Sequence, residues 1–133
     1  MTMRRWVVAL CILASIVTAC KEEAPKPEEL ASKAALEGYQ HLVAGRYEEY
    51  LGCVAGTDSL PADYREQLLV NAIQFMAQQK DERGGIDSLR VLRAVADTTL
   101  QRVNVFMLLC FGDSTKEEVV IPMVQVAGQW KMK

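Results

Sequence analysis

Val103-Asn104-Val105-Phe106-Met107-Leu108-Leu109-Cys110-Phe111-Gly112-Asp113-Ser114 is the stretch that decides how this chain folds. Val103, Val105, Met107, Leu109 and Phe111 alternate strictly with their neighbours. A period of two places these five apolar side chains on one face of a β-strand. Gly112-Asp113-Ser114 then reads as a turn between strands. Downstream, Val119 to Val126 is the next strand, and Ala127-Gly128 turns it into a last one over Gln129–Lys133, with Trp130 and Met132 on one face. Pro122 has no N–H to give to a ladder, so it is expected where the ladder is open, at an edge or a bulge. Upstream, Leu89, Val91 and Val95 recur at even spacing and Asp97-Thr98-Thr99 is a turn.

Ahead of Gly84-Gly85 the period is helical. Pro27-Glu28-Glu29 suits a helix opening, with Pro in the first turn and acids at the positive end of the dipole. Leu30, Ala34, Leu36, Tyr39, Leu42 and Val43 follow at helical spacing, and Gly45 is placed to end the helix. A short helix over Arg46–Leu51 comes next. Gly52, Gly56 and Asp58-Ser59-Leu60-Pro61 mark a loop, and a third helix runs from about Pro61 to Lys80. Its stripe is Tyr64, Leu68, Ala72, Phe75 and Met76, with Leu69 and Ile73 beside it. Gly45-Arg46-Tyr47 is like one tetratricopeptide turn, but no second copy stands at a 34-residue period and one unit cannot bury its own face. Helices followed by strands predict an α+β fold, with N-terminal helices on one face of an antiparallel sheet of about four strands.

The chain has 133 residues, half of them hydrophobic and 24% charged, which suits one globular domain and excludes a wholly disordered chain. The formal charge of −2 argues against nucleic acid as a partner, because phosphate binding needs a basic face.

The first residues read as an address. Arg4 and Arg5 precede an uncharged apolar run, Trp6 to Thr18, too short to span a bilayer as a helix. Val17-Thr18-Ala19-Cys20 then matches a bacterial lipobox. The Cys20 thiol would take a diacylglycerol as a thioether, and small residues such as Ala19 would admit the signal peptidase that cuts between Ala19 and Cys20. An ordinary signal cut after Ala19, leaving Cys20 as a free thiol, is the plainer alternative. The expected organisation is a signal peptide over 1–19, a lipidated cysteine and flexible tether over 20–27, and the α+β domain over 28–133. Losing Arg4 and Arg5 leaves 13 basic residues against 17 acids, a formal −4, so acyl chains rather than protein charge should hold the protein to the membrane. Lys21 after the anchor favours the outer membrane. Lys21-Glu22-Glu23 resembles a lipoprotein surface-export signal, and both the periplasm-facing and the surface-exposed orientations stay open.

Three helices, the Gly84-Gly85-Ile86 junction, the alternating strand ending in Phe111-Gly112-Asp113 and the terminal Gly128-Gln129-Trp130-Lys131-Met132 together resemble the nuclear-transport-factor-2-like (cystatin-like) superfamily, and within it the small bacterial lipoproteins of unassigned activity. The resemblance covers about Glu28 to Lys133. It implies a curved sheet wrapped around helices, a cone with a pocket at its mouth. Some relatives are enzymes and many bind ligands or partners.

Few residues carry readable chemistry. His41 stands alone and reads as a partly exposed or satisfied helix residue, and no metal, cofactor or phosphate motif is present. Superfamily enzymes of the isomerase or dehydratase kind would use an acid in the cone with a Tyr or second acid. The candidates for such a pocket are Asp87 or Asp97 with Tyr39, although both acids also suit turns and Tyr39 suits the core. Cys53 and Cys110 would meet an oxidising compartment, but Cys110 has the parity opposite to the buried set of its strand, so two separate thiols are expected rather than a disulfide. The same parity exposes an apolar outer face: Phe106 and Leu108, with Val120 and Val124 on the next strand, are candidates for a homodimer interface. Two functional classes follow: a non-enzymatic, lipid-anchored ligand-binding or protein-interaction module, or a small enzyme built in the cone.

Overall fold

The computed structural model describes residues 24–133. The leader, the Ala19–Cys20 cleavage site and most of the tether lie outside the described residues. Three helices are followed by four strands: α1 (Pro27–Val43), α2 (Tyr47–Gly52), a 3-10 turn (Thr57–Ser59), α3 (Ala62–Arg83), then β1 (Ile86–Asp97), β2 (Arg102–Phe111), β3 (Lys116–Val126) and β4 (Gln129–Met132). The strands form one antiparallel meander in the order β1-β2-β3-β4. The α+β expectation holds: the sheet is curved and unclosed, with the helices on its inner face. Two register shifts in β1, between Ile86 and Ser88 and between Val91 and Arg93, bend that strand.

The alternation in β2 becomes the core. Val103, Val105, Met107, Leu109 and Phe111 are all buried, while the intervening residues are half-buried. Their inner-face partners include Met123 opposite Val103 and Ile121 opposite Val105. Onto this floor α1 lays Ala31, Ala35, Gly38 and Leu42, spaced so that all four share one helix face. Of the expected stripe only Leu42 is buried, while Leu30 is exposed and Ala34, Leu36, Tyr39 and Val43 are half-buried at its flanks. Small residues there let the helix backbone approach the sheet. A Cβ on Gly38 would stand 2.8 Å from the Met132 Cε and 3.2 Å from the Cys53 Cβ. Pro27 occupies the first turn of α1 and Gly45, at φ 77, turns the chain out of it, as the sequence implies.

Two boundaries differ from expectation by three residues, and α2 is displaced by one at each end, to Tyr47–Gly52. Helix α3 continues three residues past Lys80, because Asp81, Glu82 and Arg83 are compatible with helix and only Gly84 and Gly85, both at positive φ, end it. Their N–H groups turn back onto the Lys80 and Gln79 carbonyls. Strand β3 begins at Lys116 rather than Val119. Lys116, Glu117 and Glu118 carry no apolar period, yet they pair with Cys110, Leu109 and Leu108, so the ladder extends the strand where side-chain pattern does not. Pro122 sits opposite Asn104 in the β2–β3 ladder, and on its other side its carbonyl accepts from Lys133 N–H at 2.9 Å. Its missing donor thus falls just beyond the last Met123–Met132 rung, an open place in the ladder.

Helices and sheet are stitched at two points. After α3, Gly112 N–H donates to Gly85 O and Asp113 N–H to Arg83 O, both at 2.9 Å. A side chain on Gly112 would collide with the Gly84 carbonyl. At the outer edge of β4, Met132 N–H donates to Cys53 O at 2.8 Å and Ala55 N–H to Met132 O at 2.7 Å, so the segment after α2 covers part of a sheet edge that would otherwise stand open.

Candidate functional site

Helix α3 is long and apolar in places, yet it buries only Ala72. Its apolar residues spread around the helix: Tyr64, Val70, Ile73 and Phe75 are exposed, while Leu68, Leu69 and Met76 are half-buried. No single face can bury so wide an arc. The consequence is a cleft of about 350 Å³ between α3 and the α1–α2 pair. Tyr39 and Leu42 of α1 and Tyr50 and Leu51 of α2 form one wall, Val54 its end, and Leu68, Ala72 and Phe75 of α3 the other, with Asn71 at the rim.

The cleft is mainly apolar, with two phenols and one amide as its polar groups. Burial, reinforced by Tyr50 and more weakly by Glu117, pushes the Tyr39 phenol up from 10 to about 12. Burial, then the neighbouring Cys53, raises Tyr50 as well. Both therefore stay neutral at ordinary pH and can each donate one hydrogen bond and accept others. Asn71 Oδ1 accepts from Gln67 Nε2 at 2.9 Å, leaving its amide N–H₂ as donor. Such a cleft suits a small, largely apolar, uncharged molecule carrying one or two polar groups.

The three residues expected to share a pocket are not brought together. Tyr39 faces the interhelical cleft. Asp87 is exposed beside a shallow groove with Gln40 and Val43. Asp97 lies at the opposite end of β1, where its Oδ1 accepts from the Leu100 N–H at 3.1 Å and shapes the turn. Ten residues of strand place the two acids about 30 Å apart. The plainer reading of each acid, as a residue of a strand end, describes these positions. Tyr50, Asn71 and Phe75 were not singled out as site residues from the sequence. The readable signal was the width of the apolar arc on α3, which exceeds what one packed face requires.

The four outer-face candidates do share a face. Phe106 stands opposite Val120, Leu108 opposite Glu118, and Val124 opposite Lys131. Val120 is 52% exposed, whereas Phe106, Leu108 and Val124 are half-buried. Part of the cover is internal: the Arg93 guanidinium lies 3.9 Å from the centre of the Phe106 ring and 3.2 Å from a Glu118 carboxylate oxygen. Cys53 and Cys110 are separate, half-buried thiols, in agreement with the parity argument. His41 is satisfied at the end of α1, its Nδ1 accepting from Arg46 Nε at 2.9 Å.

No protein-family model matches the chain. No curated protein matches it either. Among solved structures it is similar to the crystal structure of a Campylobacter jejuni protein named "Putative NTF2-like transpeptidase", with a TM-score of 0.60 at 9% identity over 75% of this chain and 94% of that one. At that identity the likeness speaks to the fold, and the fold is of the nuclear-transport-factor-2-like kind.

Proposed function

We propose that this chain is a lipid-anchored protein of the cell envelope that works as a non-enzymatic binding module, its ligand held in the cleft between α3 and the α1–α2 pair. The cleft carries the reading: about 350 Å³ of mostly apolar space, with the neutral Tyr39 and Tyr50 phenols and the Asn71 amide as its polar groups. Its ligand would be small, uncharged and largely apolar. Acyl chains on Cys20 would hold the domain to the membrane, with the outer membrane as its address by virtue of Lys21. The outer face around Phe106, Leu108, Val120 and Val124 is the surface on which two copies would pair.

A neutral apolar fluorophore such as N-phenyl-1-naphthylamine tests the cleft. The 24–133 fragment should bind it, and Ala72→Phe, which fills the space between α3 and α1, should abolish most of that binding while the fold stays intact by circular dichroism. Unchanged binding in the variant would remove the cleft from the reading. In the producing cell, Cys20→Ala should move the protein out of the membrane fraction.

A further inference from the structure

The lipid anchor, if it is Cys20, has a geometric consequence for the folded domain. Six residues, 21–26, lie between the anchored Cys20 and the start of α1, seven steps of chain in all. A chain spans at most about 3.5 Å per residue, so Pro27 can stand no farther than about 25 Å from its lipid. Pro27 lines a pocket of about 480 Å³ at one end of the sheet, together with Asp97, Gln101, Arg102, Gln125 and Trp130. The turn from β1 to β2 and the turn from β3 to β4 lie at that same end, since Val103 at the start of β2 faces Met123 near the end of β3.

That end has three features that the rest of the fold leaves unexplained. Leu100, in the β1–β2 turn, is 55% exposed, and Val126, beside the β3–β4 turn, is 41% exposed. Among the described residues, the only buried side-chain nitrogens without a hydrogen-bond partner are Arg102 Nε and Trp130 Nε1, and both residues line this one pocket. Arg102 also has no carboxylate within salt-bridge distance among the described residues, unlike Arg65, Arg83 and Arg93. Buried donors are ordinarily paired, and these two are closed off from the surface, so an acceptor outside the domain reaches them only if the side chains turn outward.

We propose that this end of the sheet rests on the lipid surface, Leu100 and Val126 entering the interfacial layer, and that Arg102 and Trp130 turn outward there to donate to phosphate and ester oxygens of the headgroup region. The inference depends on Cys20 being the anchor. A phospholipid surface supplies apolar depth for Leu100 and, once the two side chains have turned outward, acceptor oxygens for their N–H groups. Indole and guanidinium groups suit that layer, where one end of a side chain is apolar and the other wet. Charge is not the attraction: Lys26 and Arg102 are offset by Glu28, Glu29 and Asp97 nearby. Docking should therefore depend little on anionic lipid. The cleft lies toward the other end of α1, a helix of 17 residues and about 25 Å, and so would face away from the bilayer.

The test uses the lipidated protein extracted from its own membranes and reconstituted in phosphatidylethanolamine vesicles with or without phosphatidylglycerol. Cys53 and Cys110 are first changed to serine. A nitrobenzoxadiazole dye is attached at Leu100→Cys, at Thr99→Cys as a second probe of the same turn, and at Lys116→Cys at the opposite end of the sheet. Nitroxide lipids should quench the turn probes at least twofold more than the Lys116→Cys probe, and aqueous iodide should do the reverse. Phosphatidylglycerol should change neither result. Equal iodide access at both ends, in protein that floats with the vesicles, would overturn the docking surface while leaving the anchor intact. Protein that fails to float and carries no acyl mass would overturn the anchor and the docking surface with it.

Discussion

Helices α1 and α3 draw on similar apolar residues and meet opposite fates. Over 17 residues α1 buries Ala31, Ala35, Gly38 and Leu42, and three of these four are Ala or Gly. Over 22 residues α3 buries Ala72 alone. The small side chains of α1 lie on one face and let its backbone settle onto the β2 and β4 side chains. The larger residues of α3 are scattered, so whichever face turns inward leaves others outside. Close packing thus comes from small residues in register, not from total hydrophobicity. The cleft is the space left where α3 does not follow α1 down onto the core.

The largest expected effect comes from emptying the floor under α1. Met107 is fully buried, and Met107→Ala should cost about 2–5 kcal/mol by chemical denaturation, whereas Phe75→Ala on the half-open α3 should cost less than about 1.5 kcal/mol. Similar losses for the two would erase the contrast between the helices.

Overfilling sharpens it next. Ala35, fully buried on the inner face of α1, has no room for more, so Ala35→Leu should lower stability by about 1–3 kcal/mol. Ala72→Leu adds the same atoms beside an existing cleft and should change stability by less than about 1 kcal/mol, because the space is already there.

The smallest effect is confined to alkaline pH. Folding raises the Tyr39 phenol from 10 to about 12, so the folded state keeps a proton that the unfolded chain loses. Stability is therefore intact below pH 10 and falls as pH rises toward 12, by at most about 2–3 kcal/mol. Phenolate absorbance should show Tyr39 and Tyr50 both titrating above the ordinary tyrosine range, and Tyr39→Phe should remove one of these two late titrations together with its share of the alkaline loss. A Tyr39 that titrates near 10 would mean the cleft admits bulk water to its wall.

Much of this was legible in the residues. The nine-residue alternation from Val103 to Phe111, Gly45 at the end of α1 and the mismatched parity of Cys110 each have a local cause, and each appears where local rules put it. The candidate site was read less well. Tyr39 belongs to the cleft, but Asp87 and Asp97 occupy opposite ends of one strand, and strand length alone argues against pairing them. Lys116, Glu117 and Glu118 joined β3 through backbone bonds that leave no trace in side-chain pattern.

By itself the sequence determined the order of elements and the inward face of β2, because period and turn chemistry act over a few residues. Which face of α1 turns inward, with Ala31, Ala35 and Gly38 rather than the larger Leu30 and Leu36, was settled by packing against the sheet. Only the tertiary structure decided that α3 would stand off from the core, that Arg93 would cover Phe106, and that Arg102 and Trp130 would meet beside Pro27 with unpaired N–H groups. Those outcomes depend on which distant surfaces compete for the same space, and that competition is settled only once sheet and helices are assembled.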